Sequence, residues 1–295
     1  MVGLALILMM GSCSGCADLI SAPMDGLPYT EQLHVPYTKS ASTYLDGDLY
    51  IPNTPGLHPV VLLIHGGGWV WGYNDDWAVA WMAPRLAAAG YAVFNINYRW
   101  AKRGGGFPRS IEDVKNAWAW LIVHRKMYHL NSNKITLVGL SAGAYLGLMA
   151  AYTAKGSLFP ATAYRKVRLH SNGVIAFYPP TNLHEVRLIA GWWAFGVAKT
   201  YMHRWLAAHK GRGYAYASPI TYAATGIRTY VLQGIVDIIV PFWQANELYH
   251  ALKMHQVSVS VHFCAYASHA FMDFPGPARQ YGWRKLLATL RAWDK

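Results

Sequence analysis

The chain is short of cysteine, of charge and above all of acid. Of 295 residues three are Cys, 14% are charged, and 14 are Asp or Glu against 26 Lys or Arg. Two of the thiols, Cys13 and Cys16, fall in the first sixteen residues, so no disulfide framework staples the fold. Low charge with 54% hydrophobic residues excludes intrinsic disorder and a coiled coil. The apolar run Val2–Met10 is well below the ~20 residues of a transmembrane helix. There is no internal repeat, no zinc-finger spacing and no His-Glu-x-x-His. The pairs His124/His129 and His250/His255 are spaced by five, which argues against a metal site. The net charge of +12 is scattered, with loose groupings at 99–109, 165–168 and 199–212. It reads as a solvated basic surface and not as a nucleic-acid interface. Nothing in the sequence asks for a cofactor.

What is present begins with the N-terminus. Val2–Met10 fits the apolar region of an export signal, followed by small residues and Cys13 or Cys16. Cysteine directly after Gly-Ser or Ser-Gly resembles a bacterial lipoprotein signal, although no Lys or Arg precedes the run. The expectation is a signal over 1–16, with lipid on Cys16 or Cys13, and one domain over 17–295. The protein would then be exported and held at a membrane. A cytoplasmic location is the alternative.

From there the pattern alternates apolar strands with amphipathic helices, the signature of an α/β fold with a mostly parallel sheet covered on both faces. Strands are expected at Ser42–Ile51, Pro59–Ile64, Tyr91–Asn97, Lys134–Gly139, Gly173–Tyr178, Thr229–Gln233 and Val257–Ala265. Helices are expected at Asp76–Ala89, Ser110–His129, Ala142–Thr153, Phe242–His255 and Pro277–Trp293, with Ser110 and Asp113 as a capping box. Residues 181–218 break the rhythm with a run of aromatics, including Trp192 and Trp193, and read as a helical insertion or a lid.

Two motifs carry chemistry. Gly139-Leu140-Ser141-Ala142-Gly143 is a G-x-S-x-G between a strand and a helix, the context in which a serine projects from a sharp turn as a nucleophile. The N–H of Ala142, next in the chain, faces the oxyanion. His65-Gly66-Gly67-Gly68-Trp69 follows a buried strand. Three glycines in a row cost backbone entropy and suit a loop whose N–H groups converge on an oxyanion.

Elimination completes the set. Between Ser141 and the downstream histidines stand only Glu185, Asp237 and Glu247, and Asp237 alone sits in a loop at the carboxyl end of a strand. Of His250, His255, His262 and His269, only His269 lies in such a loop. Asp237 is therefore expected to orient the imidazole of His269, and His269 to act as the base for Ser141. His65 reads as support for its loop.

These motifs, with NINYR (95–99), FPRSIEDVKNA (107–117), GIVDIIVP (234–241) and SHAF (268–271), resemble the α/β-hydrolase superfamily in its hormone-sensitive-lipase-like and HGGGW carboxylesterase branches. The resemblance runs from about residue 42 to the C-terminus and implies the same triad. It also implies Gly67 and Gly68 as further oxyanion donors. Relatives often carry Gly beside the histidine, where this chain has Ala267, Ser268 and Ala270. The expected activity is serine ester hydrolysis of small acyl or aryl esters through an acyl-enzyme. Trp69, Trp71, Trp192 and Trp193 are the expected pocket residues. An arylformamidase or exopeptidase-like amide hydrolase with the same triad is the alternative, and a non-catalytic lipid-anchored binding protein the alternative of another class. The sequence leaves the oligomeric state open.

Overall fold

The computed structural model describes residues 26–38, 45–185, 192–208, 213–225 and 227–295. Of residues 192–195, 208 and 225 only the backbone is described. Residues 1–16, and with them Cys13 and Cys16, lie outside the described residues.

The sheet has eight strands: β1 (Tyr29–Pro36), β2 (Asp46–Pro52), β3 (His58–Ile64), β4 (Ala92–Ile96), β5 (Leu130–Leu140), β6 (Gly173–Phe177), β7 (Thr229–Gly234) and β8 (Val259–Cys264). Their order is β1-β2-β4-β3-β5-β6-β7-β8. The first two pairings are antiparallel and all others parallel. The continuous apolar runs of β3, β4 and β6 follow from burial on both faces. Alternation along the strands divides the core. Leu62, Phe94 and Leu137 face α2 (Arg109–Val123), α3 (Ala142–Tyr152) and α6 (Trp243–Met254). Val61, Val93 and Val138 face α1 (Trp77–Ala88) and α7 (Pro277–Trp293).

Several boundaries depart from the sequence reading. β1 was not expected, because six of its eight residues are exposed and it carries no buried face to leave a periodic signal. β2 begins at Asp46, and 42–44 lie outside the described residues. α2 stops at Val123, well short of His129, and the chain turns back so that His129 O accepts from His58 N and β5 starts at Leu130. The Ser110–Asp113 capping box does not form. Pro108 is the N-cap, Ser110 Oγ donates to Arg99 O (2.8 Å), and Asp113 takes Arg99 instead. That ion pair joins the loop after β4 to α2 in a bidentate fork, with Arg99 Nη2 to Oδ1 at 2.6 Å and Nε to Oδ2 at 2.9 Å. Asp113 is thus committed to a long-range contact, and Glu112 is the acidic residue left in the first turn.

The described part of the aromatic interval is largely helical. It contains α4 (Trp192–Ala208) and α5 (Gly213–Tyr216). Ala198, Tyr201 and Met202 on α4 are buried in the main core, and Tyr201 O accepts from Phe107 N. α4 is docked on the body through these contacts.

Lys115 on α2 is 2% exposed and has no ion-pair partner among the described residues. Its Nζ donates to Thr153 O (2.6 Å) and Leu158 O (2.9 Å), tying off the end of α3. Burial pulls its amine down to about 7. In the unfolded chain the amine titrates near ~10.4, so between the two values the unfolded state holds a proton that the folded state has released. Stability therefore rises with pH across that window, and the burial penalty is fully present below it. Urea unfolding at pH 7 and pH 9 should show this rise in the native chain and a flatter profile in Lys115→Met.

Candidate active site

β3, β5, β7 and β8 are parallel and end on the same edge of the sheet, which is where the site assembles. Ser141 is the hinge between β5 and α3. Its backbone sits at φ 51°, ψ −117°, and its N–H donates to Phe177 O on the neighbouring strand (2.9 Å). A non-glycine residue in that region is strained and persists only where its surroundings hold it. Here the flanking glycines let backbone segments close in. A Cβ on Gly139 would lie 2.4 Å from Gly143 O, and one on Gly143 would lie 2.3 Å from both His65 O and Ile64 O. The turn can be this tight, and α3 can press on the end of β3, only without those side chains.

Ser141 Oγ is 2.8 Å from His269 Nε2, and His269 Nδ1 is 2.8 Å from Asp237 Oδ2. A carboxylate accepts only, so Nδ1 carries the hydrogen and Nε2 is left to accept from the serine hydroxyl. Asp237 follows β7 and is 4% exposed. It accepts further bonds from Gln233 Nε2 (3.0 Å) and from the N–H groups of Ile239 (2.9 Å) and Val240 (2.8 Å), which fix the carboxylate in place. The three residues that elimination picked out are thus brought into one hydrogen-bonded chain. Ala270, beside His269, adopts φ 58°, so an alanine carries the left-handed turn there.

Ala142 is the first residue of α3, and its N–H is one that a helix leaves without an intrahelical partner. Gly67 and Gly68 line the same cavity as Ser141 and His269. Both glycines have positive φ, and a Cβ on Gly67 would strike Trp71 O at 2.1 Å. Gly68 faces Val197 of α4, so the insertion packs against this loop.

The loop is held from behind by the NINYR segment. Tyr98 Oη donates to Gly66 O (2.8 Å) and His65 O (3.2 Å). Asn95 Nδ2 donates to Asn74 O (2.6 Å), Asn97 Oδ1 accepts from Asn74 N (2.9 Å), and Trp100 Nε1 donates to Gly72 O (2.8 Å). His65 is fully buried and stacks on Tyr98 at 4.3 Å. Burial lowers its titration to about 4, so the ring is neutral at neutral pH. Its Nδ1 lies 2.9 Å from Gly66 O, a support role as expected.

A cavity of about 470 Å³ opens over Ser141. Trp71 lines it, as expected, whereas Trp69 does not. Trp69 is 2% exposed and packs into the core, stacked on Tyr201 (4.8 Å) and edge-on to Tyr145 (5.1 Å). Its backbone sits at a positive φ of 62°. The side chains of Trp192 and Trp193 lie outside what is described, and no described residue of the insertion lines the cavity. Sequence reasoning missed Asp76, Trp77, Asp273 and Phe274 on its wall. In the sequence Asp76 stands only as the start of an expected helix, and Asp273 and Phe274 follow His269 so closely that they carry no separate signal.

A doubly covered, mostly parallel sheet with a serine at the β5–α3 turn defines an α/β-hydrolase. The BD-FAE family profile matches residues 47–252, and the chain belongs to that family. Among curated proteins, the probable carboxylic ester hydrolase LipM of Mycobacterium tuberculosis is 28% identical over 226 residues, covering 76% of this chain and 52% of that protein. Esterase LipC of the same organism is 35% identical over 111 residues, covering 38% and 27%. Bovine arylacetamide deacetylase is 31% identical over 136 residues, covering 43% and 33%. The chain spans about half the length of the first of these and less of the others. Among solved structures, esterase B from Lactobacillus rhamnosis superposes with a TM-score of 0.76 at 19% identity, covering 90% of this chain and 86% of that one. A truncated carbohydrate esterase from gut microbiota gives 0.72 at 19% identity, covering 91% and 97%.

Tyr98→Phe removes one of the two donors on Gly66 O, the other being the Nδ1–H of His65. A stability loss of about 0.5–1.5 kcal/mol is expected in urea unfolding. If the bond also positions the loop for turnover, kcat on a short ester should fall more than KM rises.

Proposed function

We propose that the protein is a serine carboxylic-ester hydrolase acting through an acyl-enzyme on small acyl or aryl esters. The observation that carries the reading is the unbroken chain Ser141–His269–Asp237, with both links at 2.8 Å, opening on a cavity. Ser141 Oγ attacks the ester carbonyl while His269 Nε2 takes its proton. Asp237 holds the ring in the required tautomer and stabilises its cation. The N–H groups of Gly67, Gly68 and Ala142 receive the oxyanion. The tetrahedral intermediate then collapses, His269 hands the proton to the departing alcohol, and water, activated by the same histidine, frees the acid. The names of the similar curated proteins, an ester hydrolase and an esterase, support this reading.

The likeness to an arylacetamide deacetylase keeps amide hydrolysis as a second reading of the same machinery. Turnover of nitrophenyl esters against N-formyl anilides separates the two. Ser141→Ala should abolish fluorophosphonate labelling with the far-ultraviolet dichroism unchanged, and Asp237→Asn should lower kcat by about 10⁴-fold. Labelling that persists in Ser141→Ala removes the mechanism.

We also infer export with a lipid on Cys16 or Cys13, and a single hydrolase domain over 17–295. The apolar run followed by Gly-Ser-Cys and Ser-Gly-Cys supports this. Palmitate incorporation by the bacterial host should be lost on replacing both cysteines by Ser. Incorporation unchanged in that variant counts against it.

A further inference from the structure

Asp76 and Asp273 face the cavity over Ser141, each next in sequence to an exposed aromatic residue. Trp77 is 68% exposed and Phe274 67%, and both line the same cavity. Among the described residues the ion pairs are His34–Asp46, Arg99–Asp113 and His269–Asp237, so neither wall carboxylate has a cation of its own. Arg279 acts on Asp273 from a distance, but its guanidinium lies 4.5 Å over the ring of Trp81. A third unpartnered acceptor lies buried behind the same wall. His65 lines the cavity, is fully buried, and its Nδ1–H is directed to Gly66 O, so Nε2 carries the lone pair. That Nε2 has no hydrogen-bond partner.

A wall with two uncompensated carboxylates and two flanking aromatic faces, backed by a buried and unpartnered imidazole nitrogen, offers acceptors and π-density but no matching cation. On a chain with a net charge of +12 this is the reverse of the average surface. Hydroxyl groups could use the acceptors, but they would leave both negative charges uncompensated in a concave, partly dry site. A protonated amine meets every part of the wall. It gives N–H donors to the carboxylates, neutralises their charge, and is attracted to the ring faces. Resting on the esterase reading above, we propose that this wall is a cation subsite, and that the preferred esters carry a protonated amine a few bonds from the scissile carbonyl.

The groups facing the pair fix the pH behaviour. Asp273 is pushed up to about 6, first by burial and then by Asp76, against the N–H of Ala78, His269 and Arg279. Asp76 is also raised, by burial and by Asp75, against the N–H of Tyr73. Asp273 therefore carries its charge above about pH 6 and loses it below, which weakens the subsite on the acid side.

The test compares two acetates of the same shape, 3-(dimethylammonio)propyl acetate and 4-methylpentyl acetate, in the full chain. The ratio of their kcat/KM values cancels the titration of His269, which both share. At pH 8 the cationic ester should be favoured by about tenfold. The ratio should fall toward one as pH drops through 6, and should fall at pH 8 in Asp273→Asn and in Asp76→Asn. Turnover of the neutral ester with a ratio of one or less overturns this subsite and leaves the esterase reading standing. A preference that neither substitution alters also overturns it. Failure to turn over either ester, with Ser141 unlabelled by fluorophosphonate, overturns the esterase reading and the subsite with it.

Discussion

The site depends on how closely the first turn of α3 can approach the end of β3. Gly143 rests against the carbonyls of Ile64 and His65, and Gly139 against Gly143 O. One methyl group at either place would push the helix off the strand. That separation sets two things together, the projection of Ser141 and the distance from it to the glycine loop that follows β3. Nucleophile and oxyanion donors are thus positioned by one steric contact between backbones, and not by two independent loops. The triad then needs only that β7 and β8 end on the same edge, which their parallel pairing guarantees.

The glycine loop cannot hold its own shape, since three consecutive glycines have little conformational preference. Its order comes from outside, through Tyr98 on Gly66 O, the Asn74–Asn95–Asn97 bonds, and His65 stacked on Tyr98. Most of these polar groups are paired, with Asn95 Oδ1 and His65 Nε2 as exceptions, and the bonds that do form rigidify the support of the loop. Arg99, gripped by Asp113, extends the same support into α2. The NINYR and FPRSIEDVKNA stretches are therefore two halves of one brace.

Much of this was legible in the sequence, because its signals were local. Gly139-x-Ser141-x-Gly143 announces a turn that only small residues permit, and Asp237 and His269 stand out because acids and loop histidines are scarce downstream of Ser141. What the sequence hid was long-range. Asp113 reads as a capping residue by spacing, yet Arg99, fourteen positions earlier, claims it. Trp69 reads as a pocket residue by its neighbours, yet Tyr145 and Tyr201, far along the chain, take it into the core. Asp76 and Asp273 are nearly two hundred positions apart, and only the fold puts them on one wall. β1 left no trace because a mostly exposed edge strand has no buried side to pattern.

All eleven residues of α3 are buried, and Ser141 is its N-cap. A helix with no solvent face cannot take up a packing error by shifting outward. A displacement of its axis is passed to the serine oxygen, and about 1 Å of misplacement can cost about 100-fold in rate. The core of this protein and its reactive atom therefore share a single mechanical tolerance. Mutations deep under the sheet, far from any substrate, will register first as slow chemistry in a chain that is still folded.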